Sequence, residues 1–292
     1  MTLWKLAAGV LLPTLGACAQ AKAPAEMPPP HETFTLASRH LHEARVVNVY
    51  LPPGYAPGGQ GGAYPTLYLL DGGLKERFPH VATALDQAIR AGTVRPMLLV
   101  GIANTQRRRD MTGPTRVASE RAMAPSVGGS AAFRAFIADE LIPAIASRYR
   151  VDPSRGILGE SLAGLFVMET LFVQPGLFDT HLALSPRLGW NDASLVKGAK
   201  ARLAAEPALR GRLFMTSAQE ADIAPRVAAL AALLATDAPK GLYWTARPRP
   251  DLRHDNLYLT LVPQLLVDYY PSVTAQDASA TPAMPRLKPE TE

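Results

Sequence analysis

A serine stands in a short segment whose residue types suit a nucleophile. Residues 159–164 read Gly-Glu-Ser-Leu-Ala-Gly, between the apolar run at 156–158 and a longer apolar stretch. The pattern Gly-x-Ser-x-Gly between a strand and a helix is typical of a serine on a strained turn. Ala163 replaces the last glycine, and alanine is small enough for the strand and the helix to approach closely. We therefore predict Ser161 as a nucleophile; the alternative is that Ser161 only caps the following helix.

A base and an acid are present in the order that such a serine requires. A serine hydroxyl needs a base within hydrogen-bond reach, and His254 lies late in the chain, after a predicted strand at 242–246. Two carboxylates, Glu220 and Asp222, follow the predicted strand at 213–216. The order Ser, acid, His favours His254 as base and Glu220 as the acid that orients it, with Asp222 as alternative. Still open are a surface role for His254, helix capping by both carboxylates, and a Ser-His pair without an acid.

Backbone N–H groups near the serine could stabilise a developing oxyanion. The N–H of Leu162 comes directly after the nucleophile. The second donor should lie in the loop after the predicted strand at 66–70, where residues 71–73 read Asp-Gly-Gly. Glycine lets a backbone N–H come close to a substrate oxygen, so we predict Gly72 as this donor. A plain turn would use the same residues.

The elements that must position these groups read as an α/β fold with a mainly parallel central sheet and helices on both faces. Short apolar runs alternate with helical patterns, which is typical of this class. The predicted strands are 45–51, 66–70, 97–102, 156–158, 181–184, 213–216 and 242–246. A helical stripe over 133–145 follows Ser130 as a candidate cap, and Pro143 should kink this helix or mark a change of turn. In such a sheet the loops at the carboxyl ends of the strands line the ligand crevice.

Composition supports a globular chain and argues against nucleic acid as a partner. Of the 292 residues 48% are hydrophobic and 19% are charged, and the formal net charge is +5. Basic residues are not grouped into tracts with interleaved aromatics, as nucleic-acid binding would favour. The single cysteine, Cys18, excludes an intramolecular disulfide. No cluster of His, Asp, Glu and Cys has metal-ligand spacing, so we expect no cofactor.

The N-terminus predicts export. Residues 1–19 combine Lys5, an apolar run and small residues around Cys18, as secretory signals do. Residues 15–18, Leu-Gly-Ala-Cys, resemble a bacterial lipobox, so Cys18 would be lipidated and attach the protein to a membrane; ordinary cleavage would leave a soluble exported protein. We expect a Pro/Ala-rich linker at 20–30, the folded domain at 31–271 and a flexible tail at 272–292. The expected location is periplasmic or an outer-membrane lipoprotein of a bacterium.

Several segments together resemble the putative-esterase family of α/β-hydrolases. They are residues 68–72, 97–105, 109–112, 136–143 and 184–186, and the resemblance extends from about 46 to 266. The family includes esterase D-type hydrolases, trilactone siderophore esterases, feruloyl and acetylxylan esterases and mycolyltransferases. The resemblance, which is nearest to the siderophore-esterase-like branch, implies a serine carboxylesterase with Ser161 as nucleophile and His254 as base. Glu160 and Ala163 depart from the family pattern, in which His and Gly are frequent.

The expected partner is a small-molecule ester, and three further residues are candidates to bind it. Arg107 and Arg109 follow a predicted strand near the crevice mouth and could pair with an anionic group. The alternative is a solvated loop, or an Arg109 bound to a structural carboxylate. Trp190 could form an aromatic wall for an aryl or acyl group, or it could belong to the core. Rival functions are acyl transfer to a sugar or lipid and ligand capture by a non-catalytic lipoprotein.

Overall fold

One eight-stranded sheet runs through the part of the chain that the computed structural model describes, residues 27–58, 62–123 and 126–272. Its spatial order is β1-β2-β4-β3-β5-β6-β7-β8. Strands β3 to β8 are parallel, whereas β2 pairs antiparallel with both β1 and β4. The strands are β1 (His31–Ser38), β2 (Glu43–Tyr50), β3 (Tyr64–Leu69), β4 (Leu98–Ile102), β5 (Val151–Glu160), β6 (Thr180–Leu184), β7 (Gly211–Thr216) and β8 (Leu242–Ala246).

Helices cover both faces of this sheet. They are α1 (Phe78–Arg90), α2 (Arg107–Met111), α3 (Ala118–Ala122), α4 (Ser130–Ala135), α5 (Ile142–Arg148), α6 (Leu162–Val173), α7 (Trp190–Ala205), α8 (Ala224–Asp237) and α9 (His254–Tyr269). Alternate residues of a strand point to opposite faces, so Tyr68 packs with the core under α4 to α8, and Leu67 with the core under α1 and α9. The central strands are apolar on both sides because both faces are covered.

All seven predicted strands are confirmed, and one strand was missed. The missed strand, β1, forms the sheet edge, and most of its side chains are at least partly exposed. It therefore lacks the continuous apolar run that identified the others. The change of turn expected at Pro143 is found, because a π-helical segment, Phe136–Leu141, separates α4 from α5, and Pro143 lies in the first turn of α5. The prediction for Ser130 was wrong, since its hydroxyl donates to Glu169 and makes no cap hydrogen bond.

The topology reverses at β3, and this reversal positions the candidate residues. Strand β3 has β4 on one side and β5 on the other, so the chain winds outward from this point in both directions. In open α/β sheets the crevice for ligands lies at the carboxyl ends of the strands beside such a reversal. The loop after β3 begins at Leu70, and Ser161 directly follows β5. This arrangement confirms the α/β-hydrolase fold that the sequence predicts.

Candidate active site

Ser161 occupies a strained turn between β5 and α6. Its backbone angles are φ 60° and ψ −116°, a region that residues with a side chain rarely adopt. Three backbone hydrogen bonds hold this conformation: the Ser161 N–H donates to Leu184 O at 3.0 Å, and Ser161 O accepts from the N–H groups of Arg187 at 3.0 Å and Leu165 at 2.9 Å. The predicted turn therefore exists, and it places the serine at the carboxyl edge of the sheet.

Small residues around the turn are required by close packing. A Cβ added to Gly159 would lie 2.6–2.8 Å from atoms of Ala163, and one added to Gly164 would lie 2.9 Å from Leu184 O. Such distances are shorter than non-bonded atoms tolerate, so β5, α6 and β6 can meet here only through residues with little or no side chain. Alanine at position 163 is fully buried and completes this packing.

His254 and Glu220 are in contact although 34 residues separate them. Nδ1 of His254, the first residue of α9, meets Oε1 of Glu220. A carboxylate can only accept, so the proton of the neutral imidazole lies on Nδ1 and the lone pair on Nε2. The His254 side chain is 46% exposed and that of Glu220 only 7%. Within the described residues no hydrogen bond joins the Ser161 hydroxyl to His254; such bonds are often long before substrate binds.

The second oxygen of Glu220 is also held. Oε2 accepts a 2.8 Å hydrogen bond from the Ser185 hydroxyl and a 3.0 Å bond from the Ala218 N–H. Ser185 is fully buried, with φ 39°, directly after β6. The sequence analysis gave Ser185 no role in the site; the available signal was a polar residue immediately after a buried strand.

Asp222, the alternative acid, lies apart from His254. Its side chain is 62% exposed, and its carboxylate is 3.5 Å from Arg187. Between the two carboxylates that the sequence offered, the structure therefore brings Glu220 to the histidine. Neither residue is the N-cap of α8, which is Ile223.

The expectation that the Gly72 N–H faces a substrate oxygen was wrong. This N–H donates to Ile102 O at 2.8 Å and so extends the pairing of β3 with β4 beyond the strand end. The next N–H, that of Gly73, donates at 2.7 Å to Oε2 of Glu76, an exposed residue. A flexible side chain can leave this donor, whereas a strand carbonyl cannot. Leu162 is the first residue of α6, so its N–H has no acceptor within the helix.

Arg107 lies beside the serine turn, where carboxylate and carbonyl oxygens accept from its Nε and Nη2. Its guanidinium donates twice to Asp71, at 2.6 and 2.8 Å. Nη2 also donates to the backbone oxygen of Glu160 at 3.3 Å. The side chain is 35% exposed. The structure thus places Arg107 at the expected edge and shows it joining the loop after β3 to the end of β5.

Arg109 is bound to structural carboxylates, which is one of the alternatives stated for it above. Its guanidinium donates to Asp110 at 2.7 Å and to Glu43 at 2.8 Å. Asp110 also pairs with Arg45, whose side chain is fully buried. Desolvation acts to raise the pKa of Glu43, but hydrogen bonds from Arg109 and Thr105 outweigh it and lower that pKa to about 2. The expected substrate-binding role of Arg109 is corrected, because these carboxylates saturate it.

Trp190 is mostly buried and hydrogen-bonded. Only 7% of the residue is exposed, and Nε1 donates to Gly113 O at 2.8 Å. The residue lines a cavity of about 190 Å³ together with Leu165 and Phe172. Packing into the core, the alternative to an aromatic substrate wall, is therefore the role that the contacts favour.

Glu160, which directly precedes the serine, is a buried carboxylate. The residue is 4% exposed, and Arg77 donates to its Oε2 at 2.6 Å. Desolvation raises the pKa of Glu160, while the charges of Arg77, His254 and Arg107 act in the opposite direction. A carboxylate with an elevated pKa therefore lies next to the nucleophile.

Within residues 27–58, 62–123 and 126–272, no three His, Cys, Asp or Glu side chains are grouped so that they could hold a metal ion. No helix in these ranges has the length and apolar character needed to cross a bilayer. Cys18 and the predicted signal at 1–19 lie outside the described residues.

Known proteins resemble this chain in sequence and in structure. Residues 38–237 match the family model described as putative esterase. The ferri-bacillibactin esterase BesA of Bacillus subtilis is 32% identical over 189 residues, 58% of this chain and 62% of that protein. The siderophore triacetylfusarinine C esterase of Aspergillus fumigatus is 37% identical over 95 residues, 32% of this chain and 30% of that protein. The matches thus span less than two thirds of these relatives.

The fold comparison covers more of the chain. The crystal structure of an IroE-like serine hydrolase from Shewanella oneidensis superposes with a TM-score of 0.71 at 30% identity. The superposition covers 82% of this chain and 81% of that one. Together with the family match over 200 residues, this likeness decides the classification. The chain belongs to the putative esterase family.

Proposed function

We propose that this protein is a serine carboxylesterase that acts through an acyl-enzyme. Ser161 Oγ attacks the ester carbonyl carbon while its proton passes to Nε2 of His254. Glu220 holds the imidazole by Nδ1 and stabilises the imidazolium that forms. The carbon–oxygen bond to the alcohol then breaks, and the alcohol leaves with the proton from Nε2. Water repeats the sequence, releases the acid and restores the Ser161 hydroxyl.

The oxyanion of each tetrahedral intermediate needs hydrogen-bond donors that no fixed acceptor of the protein already occupies. We assign the Leu162 N–H as one donor, because it begins α6 beside the serine. For the second we now favour the Gly73 N–H over that of Gly72, because only an exposed side chain, that of Glu76, accepts from Gly73. Substrate would displace that carboxylate from the N–H.

The backbone of Ser161 is the observation that carries this proposal. A serine that only capped a helix would have extended backbone angles and a side-chain hydrogen bond to the first turn. Ser161 has φ 60° and makes no such bond. Strain of this kind costs about 1–3 kcal/mol and persists mainly where function requires it. This conformation, directly after β5 at the carboxyl edge of the sheet, therefore supports a nucleophilic role for Ser161.

We propose a siderophore-type or aryl ester as the substrate. The names of two relatives support the first class: the ferri-bacillibactin esterase BesA and the siderophore triacetylfusarinine C esterase of Aspergillus fumigatus. The half-exposed His254 supports an open site that admits a bulky ester. Ser161, His254 and Glu220 would serve either class, so the substrate must be decided by turnover.

Export is part of the same proposal. The signal-like residues 1–19 and the lipobox-like residues 15–18 favour an exported protein with lipidated Cys18. An esterase placed outside the cytoplasm would meet esters that arrive from the environment. Globomycin sensitivity of processing, compared with a Cys18→Ser variant, distinguishes lipidation from ordinary cleavage.

The test of the reaction is labelling by a fluorophosphonate probe. We expect the wild type to be labelled at one site and the Ser161→Ala variant to lose both labelling and ester turnover, by several orders of magnitude. Ser147→Ala is the matched control, because Ser147 is exposed and bonds only to Ala144 O in the same helix. Labelling that survives in Ser161→Ala would overturn the proposal.

A panel of substrates then decides the class. It comprises short aryl esters, feruloyl esters, and linear and cyclic trilactones. We expect the highest kcat/KM for trilactones or aryl esters and release of free acid into water. Product that appears only when an alcohol acceptor is added would instead identify an acyltransferase.

A further inference from the structure

We infer that Arg77 is a positioning residue that holds the serine turn, the loop after β3 and the histidine helix in register. The inference rests on the proposed function. Arg77 contacts all three elements, and its side chain is 33% exposed at their junction. It contacts the loop after β3 through its backbone and the other two elements through its guanidinium. None of these contacts is to Ser161, His254 or Glu220 themselves.

The backbone contact fixes the loop that follows β3. Arg77 is the N-cap of α1, and its N–H donates at 2.8 Å to Asp71 O. Asp71 itself has φ 53°, so this loop turns sharply and requires support. The Gly73 N–H lies within the same loop. Arg77 therefore sets the position of that donor relative to the start of α1.

The first side-chain contact reaches the residue before the nucleophile. Nη2 of Arg77 donates at 2.6 Å to Oε2 of Glu160. The other oxygen, Oε1, is buried and has no hydrogen-bond partner among the residues that the structure describes. The charged groups that also act on this carboxylate are Asp71, Arg107 and His254. Loss of Arg77 would leave the buried Glu160 carboxylate without a hydrogen-bond donor, which is energetically costly. The ion pair therefore holds the two side chains in a fixed orientation.

The second side-chain contact reaches α9. The Arg77 guanidinium lies over the ring of Tyr258, 4.6 Å from its centroid, which is a cation–π geometry. Tyr258 is one helical turn after His254 and is 1% exposed. The ring cannot shift without disturbing the core. A single guanidinium thus joins the turn that carries Ser161 to the helix that carries His254.

This connection bears on the chemical step. Proton transfer needs Ser161 Oγ and His254 Nε2 within hydrogen-bond reach, and the two residues come from elements with no covalent link nearby. An error of about 1 Å in such a placement can cost about a hundredfold in rate. We therefore expect loss of Arg77 to lower kcat and to leave KM for small esters nearly unchanged.

The experiment measures kcat per titrated active site, where the endpoint of fluorophosphonate labelling counts competent serines. We expect Arg77→Met to lower kcat per site by about tenfold to a hundredfold. Arg77→Lys should recover part of the loss, because it retains the charge but not the planar fork. Arg90→Met is the matched control, because Arg90 lies in the same α1, pairs only with Asp86 and is 61% exposed.

If Arg77→Met folds poorly, a double-mutant cycle with Glu160 tests the same role of Arg77. Glu160→Gln removes the buried charge but retains an acceptor for Arg77. We expect Glu160→Gln to fold and to show a smaller loss of kcat per site than Arg77→Met. The fold-loss in the double variant should be smaller than the product of the two single fold-losses, because the two residues interact. Full kcat per site in Arg77→Met, with only the melting temperature lowered, would show a merely structural role. Wild-type protein without turnover would instead defeat the proposed function.

Discussion

The hydroxyl of Ser185 donates a 2.8 Å hydrogen bond to Oε2 of Glu220, the carboxylate whose other oxygen contacts His254. Ser185 is buried, and its positive φ directs the hydroxyl from the end of β6 to the loop after β7. Glu220 is therefore fixed at both oxygens before any substrate binds. A preorganised carboxylate of this kind can hold the imidazole without rearrangement during the reaction.

Removal of that hydroxyl should lower turnover. We expect Ser185→Ala to reduce kcat by about tenfold, because one hydrogen bond to a charged group is worth about 1.5 kcal/mol. KM for small esters should stay within about twofold, since Ser185 does not face the substrate. Steady-state kinetics measure both constants. Unchanged kcat in Ser185→Ala and also in Ser185→Gly would contradict a role for this hydrogen bond.

The two candidate acids should differ sharply. We expect Glu220→Gln to lower kcat by about 10³–10⁴-fold, because an amide no longer stabilises the imidazolium or selects the tautomer. Asp222→Asn should stay within about threefold, because Asp222 is exposed and contacts Arg187 instead. The pair is compared at equal concentration of titrated sites. A larger loss in Asp222→Asn would reassign the acid.

Neighbouring glycines after β3 should respond differently to alanine. A Cβ at Gly72 would lie 2.4 Å from backbone atoms of Gly101 and Ile102, so Gly72→Ala should destabilise the fold by about 3 kcal/mol or more. At Gly73 the nearest atom is Oε2 of Glu76, at 2.7 Å, and this flexible side chain can move. Gly73→Ala should therefore fold. Thermal unfolding of the two variants gives the comparison, and equal stability would contradict it.

Arg109 should affect stability and not substrate affinity. Arg109→Gln removes donors from Glu43 and Asp110 and should lower the free energy of unfolding by about 2 kcal/mol. KM for an anionic ester should remain that of the wild type. Urea unfolding and kinetics on charged and neutral esters measure the two effects. A rise in KM confined to the anionic ester would restore Arg109 as a substrate-binding residue.

Stability should decline in mild acid through His181. This residue in β6 is fully buried, and burial lowers its pKa from 6.5 to about 3. In acid the unfolded chain therefore binds a proton at His181 more tightly than the folded chain does. As a result the free energy of unfolding is unaffected by His181 above pH 6.5 and falls as the pH drops from 6.5 toward 3. At pH 5 the loss is about 2 kcal/mol.

Urea midpoints at pH 7.5 and pH 5 test this contribution. His181→Leu removes the titrating group and should flatten that part of the stability curve, whatever its effect at pH 7.5. The difference between the two pH values, and not the absolute stability, is the measured quantity. An equal slope in wild type and variant would assign the pH dependence to other groups.

Local sequence patterns predicted much of the fold and part of the candidate site. The buried strands are continuous apolar runs, so β3 to β8 could be recognised without any partner. The glycine-flanked serine identified its own turn because strain and close packing restrict which residues can stand there. The late histidine followed from chain order. The strand and turn signals are each contained within a few consecutive residues, whereas the order argument uses the whole chain.

Other features depended on residues far apart in the chain. Gly72 looked suitable as a donor because glycine permits close approach, yet its N–H continues the ladder with β4. Arg109 looked available, yet Glu43, 66 residues away, saturates it. Ser185 carried only a weak local signal, a polar residue after a buried strand, and Arg77 carried none, since an arginine is common in loops and caps.

The amino-acid sequence alone therefore determined the α/β class, the strand positions, the strained turn at Ser161 and the short list of bases and acids. The tertiary structure decided which members of that list meet: Glu220 and not Asp222 contacts His254. It also decided which hydrogen-bond donors, such as the Gly72 N–H and the Arg109 guanidinium, already have acceptors within the protein. The physical reason is that propensity and hydrophobic periodicity act over a few residues, whereas hydrogen-bond partners at the carboxyl edge of a sheet come from separate strands.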